Sequence, residues 1–266
     1  MDLGIRGKVA FVEGSSHGMG RATAELLAGE GAKVAVAALA ADGEAVEEVV
    51  AAIIAAGGEA VGVVGDLTVR DDVERAVAEV TEALGPPDIA VNNVGGPPTG
   101  NFNDVTDQAF TQALEQMTMS MVYLVRATLP HMRAQKWGRY VTLNSIGAKE
   151  PPPELAHVLV NGARAAVISL NKTLSNEFAA DGVTFNTIAT GLIGTDRFMN
   201  YWRRVAEESG KPLDDVLLTA TAMVPARRVG RPEEMAATIA FLCSDGGGYV
   251  NGELIAVDGG WHRAAY

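Results

Sequence analysis

Cysteine is nearly absent from this 266-residue chain, and histidine is sparse. Cys243 is the only cysteine, so no disulfide can form within the chain, and a reducing compartment such as the cytoplasm is expected. The four histidines lie far apart, without the H-x-x-x-H or C-x-x-C spacing of metal ligands; they are His17, His131, His157 and His262. We therefore expect no bound metal ion.

Positive charge and long apolar runs are also scarce. The formal net charge is −12 and no basic run occurs, which argues against a nucleic-acid partner because phosphate binding needs a cationic face. Apolar stretches are interrupted by Glu, Gly or Arg well before the roughly 18 residues that suggest a membrane span. The first residues show no apolar segment of the signal-peptide type, so neither a leader nor a membrane helix is expected.

Short β-forming runs alternate with longer helical patterns along the whole chain. This alternation predicts one α/β domain over residues 1–266, in which a doubly wound, Rossmann-type parallel sheet lies between two layers of helices. The seven predicted strands are 9–12, 34–37, 60–64, 89–92, 140–143, 184–188 and 254–257. The predicted helices are 19–29, 42–56, 69–84, 107–133, 155–180 and 232–242.

Residues 194–224 fall outside this alternation. The segment is helical in pattern, carries Phe198, Tyr201 and Trp202, and follows the carboxyl end of the sixth strand, where open α/β sheets bind ligands. It is predicted to be a lid over a small-molecule substrate, although an ordinary surface excursion has the same pattern. The segment is apolar and aromatic with few charges besides Arg197, Arg203 and Arg204, which suggests an uncharged or anionic organic substrate.

A glycine-rich turn joins the first predicted strand to the first helix. Gly14, Gly18 and Gly20 permit a tight turn and a close approach of backbone amides to a diphosphate, whose charge then meets the positive end of the helix. The residues between them would line the same site; they include Ser16, His17 and Met19. The turn therefore predicts a dinucleotide-binding site.

Five motifs in this order resemble those of the short-chain dehydrogenase/reductase family. Besides the glycine turn, they are Asp66-Leu67, Asn92-Asn93-Val94-Gly95, the segment from Gly191 to Thr195, and Val257-Asp258-Gly259-Gly260. The resemblance extends along nearly the whole chain and implies a homotetrameric oxidoreductase that uses NAD or NADP. It places adenine contacts at Asp66 and Leu67, nicotinamide contact at Thr195, and further cofactor contacts at Asn93, Gly95 and Gly191.

Three positions depart from the family's cofactor motifs. Glu13 stands where the family has a small residue, and a carboxylate about 5 Å from a phosphate would cost roughly 3 kcal/mol unless its side chain points away. The second strand ends in Ala37-Ala38-Leu39, without the acid or arginine that would select between NAD and NADP. Thr190 replaces the usual proline before Gly191.

The family's reaction uses an Asn, a Ser, a Tyr and a Lys. By resemblance Ser145 is the serine that binds the reacting oxygen, whereas Arg164 falls at the Lys position, Val160 at the Tyr position and Met117 at the Asn position. Val160 cannot donate a proton, and Arg164 keeps its positive charge without cycling as an acid. The segment from Ser145 to Pro151 and the pair Asn161 and Arg164 resemble a divergent branch of the family similar to 3-oxoacyl-carrier-protein reductase, from which Val160 and Met117 still depart.

A substitute proton donor is therefore of interest. His157, Val160 and Arg164 fall at i, i+3 and i+7 on one predicted helical face, so His157 could replace the lost Tyr; a solvated or hydrogen-bonded histidine is the alternative interpretation. Tyr201 is another candidate donor, although aromatic residues in such a segment also line apolar pockets.

Three kinds of function fit these residues. The cofactor motifs favour a dehydrogenase or reductase that acts on a ketone or a secondary alcohol. The missing Tyr and the presence of Glu13 favour a non-redox isomerase, dehydratase or cyclase, in which Ser145, Arg164 and His157 polarise a carbonyl group. A binding protein without turnover is the third possibility, because fold alone does not imply catalysis. We favour the first.

Overall fold

Seven parallel strands form a single sheet in the computed structural model, which describes residues 2–151 and 157–265. The strands are β1 (Val9–Glu13), β2 (Lys33–Ala38), β3 (Glu59–Val64), β4 (Ile89–Asn92), β5 (Gly138–Ser145), β6 (Val183–Thr190) and β7 (Leu254–Val257). Their spatial order is β3-β2-β1-β4-β5-β6-β7, and every neighbouring pair is parallel. The doubly wound α/β fold expected from the sequence is confirmed.

Helices cover both faces of this sheet. Within the described residues they are α1 (Gly18–Gly29), α2 (Gly43–Ala55), α3 (Arg70–Ala83), α4 (Asp107–Leu114), α5 (Ser120–Ala134), α6 (Val158–Phe178), α7 (Asp196–Ser209), α8 (Leu213–Ala220) and α9 (Pro232–Cys243). One apolar layer packs the sheet against α1, α2 and α9, and the other packs it against α3, α5 and α6. No helix within 2–151 and 157–265 combines the length and apolar character needed to cross a membrane.

The central strands are buried on both faces, which explains their nearly continuous apolar sequences. In β1, Ala10 and Val12 contribute to one core, whereas Val9 and Phe11 contribute to the other. Side chains of a strand point alternately to opposite faces, so a short apolar run supplies both layers.

Strands β5 and β6 extend beyond the predicted ranges 140–143 and 184–188. The added residues include Arg139 and Thr190, and the structure gives their polar side chains hydrogen-bond partners. Nε of Arg139 donates to the Ser244 carbonyl at 3.1 Å, and the Thr190 hydroxyl donates to the Asn144 carbonyl at 2.9 Å. A buried polar residue is tolerated in a strand when its hydrogen bonds are satisfied.

Two predicted helices need correction. The range 107–133 is not one α-helix, because a π-helical turn at Glu115–Met119 separates α4 from α5. The range 155–180 begins in part outside the described residues, and the observed helix is α6. The other boundaries agree with the prediction to within one or two residues.

The segment 194–224 folds into α7 and α8 after the carboxyl end of β6. Thr195 begins α7 because its hydroxyl oxygen accepts from the Phe198 N–H at 3.3 Å, and Gly210 ends it in the left-handed conformation. These two signals set the ends of α7, which follows the edge of the sheet where ligands bind in open α/β folds.

Candidate active site

A cleft of about 1290 Å³ opens beside the glycine turn and the carboxyl ends of the strands around β1. Ten of the twelve predicted cofactor residues line it: Gly14, Ser16, His17, Gly18, Met19, Asp66, Leu67, Asn93, Gly95 and Thr195. The other two, Gly20 and Gly191, support its shape through backbone contacts described below. Residues from four distant motifs therefore meet at one site.

The glycine turn is packed too closely for larger residues. Gly14 and Gly18 have positive φ angles of 57° and 56°. A Cβ atom at Gly20 would overlap the carbonyl oxygen of Gly14, and that oxygen accepts a 3.0 Å hydrogen bond from the side chain of Asn93. A Cβ at Gly18 would lie 2.9 Å from Cγ2 of Thr195. The turn is thus fitted to the motifs that follow β4 and β6.

Gly191 makes a comparable close approach at the other end of the site. Its N–H donates to the Val257 carbonyl at 3.0 Å, and a Cβ there would lie 2.6 Å from Cα of Asp258. The carboxylate of Asp258 accepts from the N–H groups of Gly260 and His262 and from the His262 ring, which fixes the chain after β7. Glycine at 191 lets the β6 and β7 ends meet.

Glu13 does not extend freely into the cleft. Its side chain is 1 % exposed and one carboxyl oxygen, Oε2, accepts a hydrogen bond from the side-chain amide of Asn92. Burial raises the pKa of Glu13 to about 8, against the opposing effects of Asn92 and the Asn93 backbone. The group is therefore mostly neutral at pH 7, and the charge repulsion considered from the sequence is largely removed.

The wall of the cleft near the end of β2 carries no positive charge. Ala38 and Leu39 line it there, as the sequence indicated. The positive charges come instead from α7, where Arg197 and Arg204 line the same cleft together with Tyr201. The segment 194–224 thus faces the predicted cofactor residues directly.

Several lining residues had no signal in the sequence. Pro97 and Pro98 follow the fourth-strand motif, and Gln112 and Gln116 come from α4 and the π-helical turn. The Gln116 side chain donates to the Gly95 carbonyl at 2.7 Å. Glutamines in a helical pattern ordinarily face solvent, so only the tertiary structure identifies these two.

Ser145 lies at the carboxyl end of β5, opposite Thr190 on β6. Its hydroxyl oxygen accepts from the Gly147 N–H at 3.1 Å, which leaves the hydroxyl proton available to a ligand. Asn144 connects this strand end to α6: its side-chain oxygen accepts from the Ser145 N–H at 2.7 Å, and its amide donates to the Arg164 carbonyl at 3.0 Å.

Arg164 is a largely buried cation close to this strand end. Its Nη1 donates to the Leu143 carbonyl at 3.1 Å, and its buried Nε has no hydrogen-bond partner. No carboxylate within 2–151 and 157–265 forms a salt bridge with it. Burial lowers the pKa of Arg164 to about 10, so the group remains charged at neutral pH.

His157 and Val160 lie near this arginine, as their spacing suggested. Burial and then the positive charge of Arg164 lower the pKa of His157, so at neutral pH the imidazole is mostly uncharged. His157 precedes the first turn of α6 and pairs with Gly100 in an isolated parallel bridge. The Val160 side chain faces Gly96, 4.0 Å from where a Cβ would be.

A second cavity, of only about 10 Å³, lies behind the strand ends. Its polar lining comes from Asn92, Thr142, Asn144 and Arg164, and Met117 of the π-helical turn contributes part of its apolar lining. This volume is close to the minimum for one water molecule. Of the three predicted catalytic residues only Arg164 lines this cavity, and none of Ser145, His157 and Arg164 is among the described residues that line the large cleft.

No cluster of three or more His, Cys, Asp or Glu side chains suited to a metal ion occurs within 2–151 and 157–265.

Comparison with known proteins connects this geometry to one family. A family model described as enoyl-(acyl carrier protein) reductase matches residues 14–262. The chain is 33% identical over 261 residues to the 3-oxoacyl-[acyl-carrier-protein] reductase of Vibrio cholerae, covering 98% of this chain and 99% of that protein. The chain belongs to the short-chain dehydrogenase/reductase family.

Other relatives of similar resemblance act on different molecules. The 7alpha-hydroxysteroid dehydrogenase of Clostridium sardiniense is 33% identical over 260 residues, covering 97% of this chain and 94% of its own. The crystal structure of L-sorbose reductase from Gluconobacter frateurii, complexed with NADPH and L-sorbose, matches with a TM-score of 0.94 and 31% identity, over 99% of this chain and all of that one. Short-chain dehydrogenase/reductase proteins this similar therefore differ in substrate.

Proposed function

We propose that this protein is an oxidoreductase that uses NAD or NADP to interconvert a ketone and a secondary alcohol on a small organic molecule. The observation that carries the proposal is the joining of Gly14, Gly18, Asn93 and Thr195 around one large cleft. Relatives named as reductases and dehydrogenases over almost the whole chain support it.

The residues of the cleft fit a dinucleotide. Backbone amides of the turn from Gly14 to Gly20, at the start of α1, would hold the diphosphate. Asp66 and Leu67 at the cleft margin would hold the adenine end, and Thr195 the nicotinamide carboxamide. When bound, the nicotinamide supplies or accepts the hydride. Neither an acid nor an arginine at the end of β2 selects the nucleotide, so both NAD and NADP remain candidates.

We assign catalysis to Ser145, Arg164 and His157. The Ser145 hydroxyl would donate to the oxygen of the substrate, and the nearby positive charge of Arg164 would stabilise negative charge that develops there. Val160 replaces the family's Tyr and has no proton to give. His157, within electrostatic reach of Arg164, would transfer the proton instead. The site is therefore proposed to be atypical for the family.

A non-redox reaction is a second candidate. The specific observation in its favour is a cationic Arg164 without a carboxylate partner in the described part of the chain, linked through the side chain of Asn144 to the strand end that carries Ser145. Such a pair can polarise a carbonyl group without hydride transfer, as in an isomerase or a dehydratase. The lid role of segment 194–224 belongs to both candidates, since α7 lines the cleft in either case.

Cys243 fits a reducing compartment such as the cytoplasm. The thiol is buried, and burial raises its pKa to about 12, so it is protected from reaction.

Nucleotide binding followed by a substrate survey tests the proposal. NADH and NADPH are titrated separately while protein fluorescence is followed, and the absorbance of the reduced nicotinamide is then monitored with a panel of ketones. We expect saturable binding of at least one nucleotide and oxidation with at least one ketone. Binding without oxidation would favour the non-redox candidate. If neither nucleotide binds, the oxidoreductase proposal is wrong.

A further inference from the structure

Helix α7 presents one polar face to the large cleft. Four of its cleft-lining residues fall at i, i+3, i+4 and i+7, which places them on the same side of the helix; they are Arg197, Asn200, Tyr201 and Arg204. Arg203 is not among the described residues that line the cleft, and its side chain donates to Asn200 at 2.6 Å. The face that α7 turns towards the predicted nucleotide site therefore carries two arginines.

The start of α7 lies against the glycine turn. A Cβ atom at Gly18 would lie 2.9 Å from Cγ2 of Thr195, the residue that precedes α7. Gly18 begins α1, at the end where the free backbone amides of that helix would hold the diphosphate. Arg197 is two residues beyond Thr195, so their Cα atoms are at most roughly 7 Å apart. The long side chain of Arg197 therefore starts close to the diphosphate site.

The rest of the cleft supplies little positive charge to balance a diphosphate. Arg197 and Arg204 are the only Arg or Lys side chains among the described residues that line it. Besides the buried Glu13, the same lining contains four acidic residues; they are Asp42, Asp66, Glu115 and Asp196. An anionic ligand in this cleft therefore depends on the two arginines of α7 for side chains of opposite charge.

Arg197 is the less committed of the two arginines. It is exposed, and no carboxylate within 2–151 and 157–265 forms a salt bridge with it. Nε of Arg204 lies 3.8 Å from a carboxylate oxygen of Glu208, and its guanidinium carbon lies 5.7 Å from the centre of the Tyr201 ring. A guanidinium group can donate two parallel hydrogen bonds to phosphate oxygens. Arg197 thus has the position, the exposure and the donors to bind a diphosphate.

We propose that Arg197 binds the diphosphate of the nicotinamide nucleotide, so that the nucleotide is held between the glycine turn and α7. The inference rests on the proposed function, because it requires a nucleotide in the cleft. It assigns to the nucleotide an arginine that the sequence associated with the substrate. Backbone amides of the turn and the Arg197 guanidinium group would together donate to the diphosphate oxygens.

The test compares NADH with ADP-ribose, which has the same diphosphate but lacks nicotinamide; if only NADPH binds, NADPH and 2′-phospho-ADP-ribose are used instead. Dissociation constants are measured for the wild type, Arg197→Gln and Arg203→Gln. Arg197→Gln should bind both ligands about tenfold more weakly, because a charge-assisted hydrogen bond to phosphate is lost. Arg203→Gln removes an exposed arginine of the same helix that does not line the cleft, and it should bind both ligands as the wild type does.

The dependence of nucleotide binding on salt gives a second readout, which a purely structural role of Arg197 would not change. Raising the NaCl concentration from about 0.05 M to about 0.5 M screens ionic contacts, so it should weaken binding to the wild type and to Arg203→Gln more than to Arg197→Gln.

Three results would overturn this inference and leave the proposed function intact. They are unchanged affinity and salt dependence in Arg197→Gln, a loss of affinity for the nucleotide but not for its ADP-ribose counterpart, and a wild type that binds the nucleotide but not that counterpart. Failure of all three proteins to bind either NADH or NADPH overturns the proposed function, and the inference with it.

Discussion

Single residues decide how unusual this site is. Glu13 and Arg164 are both ionisable and largely buried, yet burial leaves the first mostly neutral and the second charged at pH 7. At pH 7 both groups are below their pKa values, about 8 for Glu13 and about 10 for Arg164, so both are protonated. A protonated carboxyl group is neutral, whereas a protonated guanidinium group is positively charged. A neutral acid and an uncompensated cation therefore occupy neighbouring parts of the strand ends.

At the residue scale, His157 gives a direct test of proton transfer. Replacing His157 with Ala should lower kcat/KM for ketone reduction by about a hundredfold, because positioned acid–base groups typically contribute 10² to 10⁴ in rate. Its pKa is lowered, so the protonated form accumulates only below about pH 6.5, and the reduction rate of the wild type should rise as pH falls towards that value. Steady-state kinetics across pH measure both effects.

His131→Ala is the matched control. His131 lies on α5 beside Asp88, which precedes β4 at the amino-terminal edge of the sheet, and its loss should leave the pH profile unchanged. A His157→Ala protein with full activity and an unaltered profile would eliminate His157 as the proton donor.

At the element scale, the packing of α1 depends on a close contact between its first turn and the backbone of the glycine turn. The same helix contains two glycines with opposite surroundings: a Cβ at Gly20 overlaps the backbone of Gly14, whereas a Cβ at Gly29 meets nothing within 4 Å. Backbone cannot move aside as a flexible side chain can, so close packing at the turn is intolerant of added volume.

Gly20→Ala should therefore lower the free energy of unfolding by about 1 to 3 kcal/mol, the usual range for overpacking, and weaken nucleotide binding. Gly29→Ala should instead change the free energy of unfolding by less than about 1 kcal/mol, since alanine is the better helix former. Urea unfolding of both variants provides the comparison. Equal stability of the two proteins would mean that the turn is looser than the structure shows.

The π-helical turn between α4 and α5 is an element that the apolar pattern did not reveal. It places Met117 against Leu159 and Ala163 of α6, in a small cluster separate from the two main cores. Such turns are frequent at functional sites, and this one also carries Gln116 to the cleft. The apolar pattern of 107–133 predicts a helix, but it does not reveal that the turn at Glu115–Met119 contains one residue more than an α-helical turn.

At the scale of the whole molecule, the edge of the sheet suggests assembly. Strand β7 is the last in the sheet order, pairs with β6 on one side, and is half-buried along its length. Exposed strand edges are usually covered in native proteins. We propose the homotetramer implied by the family resemblance. Light scattering coupled to gel filtration should give four times the 27.7 kDa mass of one chain, and a monomeric mass would contradict it.

The sequence by itself determined the seven-stranded parallel sheet and the glycine turn. These depend on local chemistry: short apolar runs buried on both faces, and glycines where the backbone has positive φ or approaches another strand. Ten of the predicted cofactor residues consequently line one cleft. The boundaries of β5 and β6 were underestimated because polar residues at their ends, such as Arg139 and Thr190, find their partners only across the fold.

Only the tertiary structure decided the charge state of Glu13, the burial of Arg164, and the presence of α7 arginines in the cleft. Each depends on solvent exclusion or on contacts between residues far apart in the chain, and the pattern around a residue does not contain that information. Glu13 shows this most clearly, because the same carboxyl group is negatively charged when exposed to water and mostly neutral at pH 7 when burial raises its pKa to about 8.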